Sequence, residues 1–175
     1  MSSPSSTLTQ IVATCGAEGL TPQNGEKIAA ALAAEFNVKP EEVGILRVEE
    51  ESLVFVHPAK LHKVGRIPLN STSSLAVRTL HTRRPEAINN FTKTKHTAFF
   101  EMVDVGDKQA GPRLGKEYQT IQKIMTAPVN AGDKVLGVVQ ISRKGPTLTG
   151  VGPDFTPADL QKLIALSDAL AKCFR

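Results

Sequence analysis

The stretch IQKIMTAPVNAGDKVLGVVQISRK, residues 121–144, carries the clearest secondary-structure signal in the chain. Two runs rich in β-branched residues, Ile121–Val129 and Val135–Lys144, flank a turn at residues 131–133. Such runs around a short turn containing glycine are typical of an antiparallel hairpin. Alternation divides the second run into two faces: Leu136, Val138, Gln140 and Ser142 on a mixed face, against Val139, Ile141 and Arg143 on the other.

Upstream of this hairpin the sequence predicts further strands. VGILRV and SLVFVHP, separated by the acidic turn 49–51, have the composition of a second hairpin. VGRIPL, residues 64–69, predicts a third strand there, and Pro68 favours an edge position because proline has no N–H to donate. A brief strand is expected around Ile88. The sheet therefore has about six strands.

Four helices are predicted from apolar spacing and end signals. The first carries a stripe of Leu8, Ile11, Val12 and Cys15 and should stop at Gly16. The second begins at Thr21 and ends near Asn37, before Pro40. The third begins at Asn70 or Ser71, contains Leu75–Leu80 and ends around Arg84, because Pro85 follows. The last begins at Thr156, and its stripe comprises Leu160, Leu163, Ile164, Leu170, Ala171 and Phe174.

The order of these elements predicts an α+β fold, an antiparallel sheet covered by helices from both chain ends. We expect residues 1–6 to be a mobile tail and residues 7–175 to form one domain. The stretch from Phe91 to Gln119 has no clean period and contains one predicted short helix, at residues 98–103. A long irregular insert of this kind is either a functional lid or a disordered loop.

Charge is unevenly distributed along the chain. The formal net charge is +4, but residues 57–96 contain eight basic side chains, all four histidines and a single acid, Glu86. A basic segment can attract an anion, a nucleic acid or an acidic partner, and it can equally be a solvated face. There is no long apolar stretch and no signal-peptide pattern, so we expect a cytoplasmic protein.

Most catalytic and metal-binding patterns are missing from the sequence. The chain has two cysteines, Cys15 and Cys173, expected as free, partly buried thiols because structural disulfides are rare in the cytosol. The histidines have no HxxxH spacing, so we expect no metal site and no cofactor. There is no P-loop, no Rossmann fingerprint and no GxSxG motif. We therefore expect no enzymatic activity, with an unfamiliar enzyme as a minor alternative.

Several stretches together resemble the GAF domain family. They are EVGILRVEEESLVFV, RIPLNSTSSLAVRTLHTRRP followed by INN, IMTAPVNAGDKVLGVVQISRKG, and FTPADLQKLIALSDALA. The resemblance covers residues 21–174. It implies a central antiparallel sheet with the terminal helices on one face and a ligand pocket on the other, roofed by the helix of residues 71–82 and by the insert. It also implies that the terminal helices pair with a second subunit.

Three specialised activities of this family do not match the sequence. Members that bind bilins need a cysteine near the pocket roof, and members that reduce free methionine sulfoxide need pocket cysteines. No cysteine lies between Cys15 and Cys173. Members that bind cyclic nucleotides carry an NKFDE pattern, which Asn89, Asn90, Phe91 and Asp104 do not reproduce.

The candidate ligand-binding residues lie on the expected pocket face. Thr126 and Gln140 are placed to orient a ligand on the sheet, although a glutamine near a strand end can simply be half exposed. The serines before the third helix surround N–H groups that attract anions, but one hydroxyl capping the helix, with the others solvated, is the favoured explanation. The phenylalanines of the insert either line a pocket that the insert closes, or form a small hydrophobic cluster that holds the loop in place. The predicted set is Ser73, Ser74, Arg78, Asn89, Phe91, Phe99, Thr126 and Gln140.

The function that the sequence favours is a module that senses a small, anionic metabolite. The terminal helices would pass the change to a partner or to a second subunit of a homodimer. With no output domain attached, we expect the signal to leave by association. The alternative is a dimerisation scaffold without a pocket, acting through Leu8, Ile11, Val12 and the last helix. Nucleic-acid binding by the basic segment is a weaker alternative, because no recognition motif accompanies it.

Overall fold

The structure is a computed structural model that describes residues 4–62, 66–72, 74–91 and 121–174, of which residues 4–7 and 60 are described by their backbone alone. The helices are α1 (Pro4–Glu18), α2 (Pro22–Phe36), α3 (Ala59–His62), α4 (Leu75–Thr82) and α5 (Pro157–Leu170). The strands are β1 (Val43–Glu49), β2 (Ser52–His57), β3 (Arg66–Pro68), β4 (Glu86–Ile88), β5 (Ile121–Ala131) and β6 (Lys134–Lys144). Single 3-10 turns at Pro40–Glu42 and Ala171–Cys173 precede β1 and follow α5.

The six strands form one antiparallel sheet in the order β3-β2-β1-β6-β5-β4. Both predicted hairpins are confirmed, β1 with β2 and β5 with β6. The short strand β3 lies at one edge, as Pro68 indicated, and β4 lies at the other. The long β5–β6 hairpin pairs Thr126 with Gln140, and β6 joins β1 through Val139 and Ile45. The α+β fold class is confirmed.

The sheet separates two hydrophobic cores. Helices α1, α2 and α5 cover one face, and α4 covers the other together with α3. The predicted alternation in β6 is confirmed at its centre, because Val139 and Ile141 belong to the core under the terminal helices while Val138 belongs to the core under α4. It is wrong at Leu136, which packs on the side of the terminal helices because the β5–β6 pairing shifts register there. Leu75, at the start of α4, is buried on the α4 side. The α4 face is thus free of the terminal helices, as the proposed pocket requires.

Helix ends follow their local chemistry closely at two sites. The Thr21 hydroxyl accepts the N–H of Asn24 at 3.1 Å, and Asn37 ends α2 in a left-handed conformation. Thr156 and Asp159 form a reciprocal capping box at the start of α5. These caps satisfy backbone groups that a helix leaves unpaired.

The first helix is longer at both ends than predicted. It begins at Pro4, inside the segment expected to be a mobile tail, and runs past Gly16 to Glu18. The stop is Gly19, whose φ of 86° is accessible to glycine and whose N–H bonds to the Cys15 carbonyl at 2.7 Å. The spacing rule identified the correct kind of stop residue but the wrong glycine.

The start of α4 also corrects the prediction. Ser74 caps it, accepting the Val77 N–H at 3.2 Å, rather than Asn70 or Ser71. Those earlier residues belong to a turn after β3, in which the Ser71 N–H bonds to the Pro68 carbonyl at 3.0 Å. The helix therefore starts about one turn later than predicted.

The helix expected at residues 98–103 and most of the insert lie outside the described residues, as do residues 64–65 of the predicted third strand. Across the described part of the chain, none of the helices combines the length and apolar character needed to cross a membrane.

Candidate functional site

An open groove with a volume of about 520 Å³ lies between the C-terminal end of α4 and the β5–β6 turn. Its apolar part comprises Val48, Leu69, Leu80, Ala131 and Val135. Its polar part comprises His81, Arg83, Asp133 and Lys134. Small-molecule sites commonly have volumes of about 300–1,000 Å³ and combine an apolar lining with a few polar groups, and the groove matches both criteria.

The end of α4 positions the cations of the groove. Arg83 caps α4 in a left-handed conformation with φ of 58°, and its N–H bonds to the Thr79 carbonyl. This geometry directs the Arg83 guanidinium across to the Asp133 carbonyl in the β5–β6 turn, to which it donates a hydrogen bond. Cations are favoured at this end of a helix because its last carbonyls carry partial negative charge.

His81 connects the groove to the segment after β3. Its Nε2 lies 2.6 Å from the Leu69 carbonyl, so this ring joins α4 to the residue that follows the edge strand. The groove is lined by two basic residues, Arg83 and Lys134, and by one acidic residue, Asp133, so it carries a net positive charge. This charge and the apolar lining suit a molecule with an apolar body and an anionic group.

A buried row of polar side chains runs beneath α4. The Thr79 and Thr126 hydroxyl oxygens are 2.9 Å apart, and Gln140 Nε2 lies 3.5 Å from the Thr126 oxygen. Thr79 also donates to the Leu75 carbonyl at 2.9 Å. Thr79 and Thr126 are fully buried and Gln140 is 2% exposed. The structure brings the predicted pair Thr126 and Gln140 together, with contacts that join α4 to the sheet.

The predicted ligand-binding residue Arg78 is engaged by a strand of the sheet. Its Nη2 lies 2.7 and 2.8 Å from the two carboxylate oxygens of Glu86, and its Nε lies 3.1 Å from one of them. Glu86, the single acid of the basic segment, begins β4. A fork-shaped pair of this kind holds the helix against the edge strand.

Ser74, Asn89 and Phe91 also have intramolecular roles. The Ser74 hydroxyl caps α4 and is buried. The Asn89 side chain donates to the Phe155 carbonyl at 3.0 Å and accepts the Phe155 N–H at 2.8 Å, which ties β4 to the loop before α5. Phe91 is buried in the core under α4. The two other predicted residues, Ser73 and Phe99, lie outside the described residues.

None of the six predicted residues that the structure describes lines the groove. The groove-lining cations were missed, although His81 and Arg83 belong to the basic segment. Thr79 was missed too, but it lies four residues after Leu75 on the buried side of α4, so helical spacing contains the signal. The approach of Lys134 to α4 is a long-range contact that no local pattern encodes.

The described ranges contain no group of three or more histidine, cysteine, aspartate and glutamate side chains placed to hold a metal ion. His57 is buried, and its Nδ1 lies 2.9 Å from the Val43 carbonyl. Burial lowers the pKa of His57, and the hydrogen bond to Val43 offsets part of that effect. His57 therefore favours the neutral form and acts as a packing residue between β2 and β1.

A family model described as GAF domain matches residues 24–174. The fold is similar to that of the GAF domain of the Acinetobacter phosphoenolpyruvate-protein phosphotransferase (TM-score 0.64, 16% identity, 99% of this chain and 94% of that chain covered). A similar match is the GAF domain of the Coxiella burnetii phosphoenolpyruvate-protein phosphotransferase (TM-score 0.63, 14% identity, 98% and 94% covered). A third is fRMsr of Staphylococcus aureus (TM-score 0.55, 17% identity, 96% and 95% covered). A comparison with curated proteins finds no match.

Proposed function

This chain belongs to the GAF domain family, and from that premise we propose that it binds a small anionic metabolite in the groove at the end of α4. GAF domains are regulatory sensing modules of signalling proteins. The proposal gives this chain the same role, with binding as the sensed event and no catalytic step. We also propose that it acts in the cytoplasm.

The observation that carries the proposal is the composition of the groove. A volume of about 520 Å³ suits a metabolite. Leu80 and Val135 offer apolar surface, while Arg83 and Lys134 supply positive charge beside it. Arg83 already donates to the Asp133 carbonyl, so its guanidinium is held in place before a ligand arrives. A group held in this way loses less conformational freedom on binding.

The interior beneath α4 supports placing the ligand in the groove. Thr79, Thr126 and Gln140 bond to one another and are almost wholly buried. Arg78 is engaged by Glu86. A ligand at these residues would have to displace existing contacts, whereas the groove is open at the surface.

The groove and the terminal helices are on opposite faces of the sheet, which suggests a route for the signal. Binding at Lys134 and Val135 would act on the β5–β6 hairpin, whose strand β5 packs against α5 on its other face, and α5 in turn contacts α1. We propose that these helices pass the change to a partner or to a second copy of the chain. Ile11, Leu160 and Leu166 are partly exposed apolar residues on those helices and are the proposed contacts.

The alternative of a dimerisation scaffold without a pocket receives less support. Of the three residues it named on α1, Leu8 and Val12 are buried in the chain's own core. Only Ile11 retains exposed apolar surface. A scaffold without a pocket would also give the groove no role. We therefore propose pairing of helices as the output of the module and not as its sole role.

A thermal-shift screen with small carboxylates and phosphates, followed by native mass spectrometry of the best compounds, tests the proposal. A ligand at one hundred times its Kd should stabilise the fold by about 2.7 kcal/mol. The double variant Arg83→Gln/Lys134→Gln should raise the Kd on the order of tenfold or more, because each substitution removes a charged contact. Arg84→Gln is the matched control, since Arg84 is exposed and does not line the groove. Stabilisation that the double variant does not reduce would contradict the proposed site.

A further inference from the structure

The two cysteines of the chain meet in the core under the terminal helices. Cys15 lies on α1, and Cys173 lies in the 3-10 turn after α5. Both are free thiols with no exposed surface. Cys173 Sγ donates to the Val12 carbonyl, which lies one turn before Cys15 on α1, at 3.7 Å. Two thiols that are far apart in the sequence are therefore neighbours in the same core.

A small cavity borders one of these two cysteines. It has a volume of about 150 Å³, lies between α1 and α2, and is lined by Gln10, Ile11, Thr14, Cys15, Asn24 and Lys27. A water molecule needs about 30 Å³, so the cavity has room for molecules of that size. Cys15 is part of this lining and Cys173 is not. A small oxidant entering here meets Cys15 first.

We propose that Cys15 and Cys173 form a reversible disulfide that joins α1 to the C-terminal turn, with hydrogen peroxide or another small peroxide as the oxidant. Disulfides of cytosolic proteins are usually transient and redox-sensing, which fits a pair of thiols held reduced and adjacent. The bond would fix the two chain ends to each other and leave the groove on the opposite face untouched. The inference is therefore independent of the ligand proposed above.

The chemistry balances in two steps. The Cys15 thiol loses its proton, the thiolate attacks one oxygen of hydrogen peroxide, the O–O bond breaks, and Cys15 becomes a sulfenic acid. The other oxygen leaves as hydroxide, which takes up the proton lost by Cys15 and becomes water. Cys173 then attacks the Cys15 sulfur, the S–S bond forms, and the S–O bond breaks. The departing hydroxide takes the Cys173 proton and leaves as a second water. Two thiols lose two electrons in total, and one peroxide gains them.

The surroundings of the pair make the reaction slow at neutral pH. Burial is the main cause that raises the pKa of Cys15, with Glu18 raising it further and Lys27 and the Cys173 hydrogen bond opposing the rise. Burial, followed by the charge and hydrogen bond of Cys15, raises the pKa of Cys173 to about 12. Because the thiolate is the nucleophile, oxidation should accelerate on the order of tenfold per pH unit between pH 7 and pH 9.

The test uses the reduced full chain, incubated with hydrogen peroxide, unfolded, and labelled with a thiol-reactive maleimide. We expect a monomer in which neither cysteine is labelled, a mass lower by two hydrogen atoms, a peptide map linking Cys15 to Cys173, and full reversal by dithiothreitol. Since the chain has two cysteines, an intramolecular disulfide can have no other partners. The Tm should rise on the order of 10 °C, because the bond closes a long loop.

The variants Cys15→Ala and Cys173→Ala are matched controls, and each should lose the internal bond and the rise in Tm. The peptide map of the wild-type chain gives the answer even if a variant fails to fold. Two labelled thiols after prolonged peroxide treatment of the folded chain would overturn the proposal. So would cross-links only between chains, or sulfinic acid on Cys15 beside an unreacted Cys173.

Discussion

The hydroxyl oxygens of Thr79 and Thr126 lie 2.9 Å apart, although the two residues are 47 positions apart in the sequence. Thr79 is on α4 and Thr126 is on β5. The hydrogen bond holds the helix over the sheet on the face that carries the groove. The position of the Arg83 and His81 side chains depends on where α4 ends, so this contact helps to set the geometry of the proposed ligand site.

Replacing Thr126 with valine should destabilise the chain by about 1–2 kcal/mol, since Gln140 Nε2 and the Thr79 hydroxyl each lose a buried partner. In the double variant Thr79→Val/Thr126→Val the cost should be smaller than the sum of the two single costs, because the shared bond is then removed only once. Chemical denaturation of the four proteins measures the coupling. Strictly additive costs would show that the two hydroxyls do not interact.

Arg143 should contribute strongly to stability despite lying at the end of β6. Its guanidinium donates to the Asn37 and Phe36 carbonyls at 3.2 and 3.4 Å, where α2 ends, and lies 4.7 Å from the centre of the Phe155 ring. Arg143→Met should cost about 2–3 kcal/mol in unfolding free energy, since charged hydrogen bonds are lost. Lys144→Met on the same strand is the control, because its Nζ contact with Glu41 is exposed. Equal effects of the two substitutions would contradict this account.

Two glycines should respond in opposite directions to substitution by alanine. A Cβ at Gly137 would collide with the Leu46 carbonyl and with the Phe174 ring, so Gly137→Ala should destabilise the chain by more than about 2 kcal/mol. A Cβ at Gly16 meets nothing within 4 Å, and Gly16→Ala should stabilise α1 by up to about 1 kcal/mol. Thermal unfolding distinguishes the two. A tolerated Gly137→Ala would mean that the end of the chain does not pack over β6.

His57 should make stability depend on pH. Burial lowers its pKa in the folded state, so the unfolded chain binds the proton more readily. The stabilising contribution is present above the unfolded value of about 6.5 and is lost as pH falls from there toward the lower folded value. Val43, Glu26 and Glu41 oppose the effect of burial, and Lys144 adds to it.

His57→Gln separates this contribution from the rest of the protein. The unfolding free energy of the wild type, relative to the variant, should fall with decreasing pH by at most about 1.4 kcal/mol per unit. Urea denaturation of both proteins at pH 7.5 and pH 5.5 measures the difference. A relative free energy that does not change with pH would show that His57 is not held in its neutral form.

The strands and the caps of α2 and α5 were predictable because their causes are local, whereas the cap of α4 was assigned one turn too early. Thr21 and Thr156 were recognised as caps from their neighbours in sequence, and both hairpins were recognised from alternation and turn residues. The first helix shows the limit of such reasoning, since Gly16 and Gly19 are both acceptable stops locally. Gly19 ends the helix because it adopts a φ of 86°, with its N–H bonded to the Cys15 carbonyl.

The candidate site was less predictable because it is made by long-range contacts. The pairing of Thr126 with Gln140 follows from strand register, but Thr79 completes the row only when α4 is placed on the sheet. Arg78 was expected to contact a ligand, yet Glu86 in the edge strand engages it. The groove forms only where α4 and the β5–β6 turn meet. Arg83 and Asp133 are far apart in the sequence, and no periodic pattern in the residues between them predicts their contact.

The most direct test of the proposed ligand site is a backbone amide NMR titration with the compound that stabilises the chain most in the screen. Shift changes should centre on Leu80, Arg83 and the β5–β6 turn and should weaken with added salt. The double variant Arg83→Gln/Lys134→Gln should abolish them, while Arg84→Gln should not. Saturable shift changes confined to α1 and α5, or changes that persist in the double variant, would contradict the proposed site.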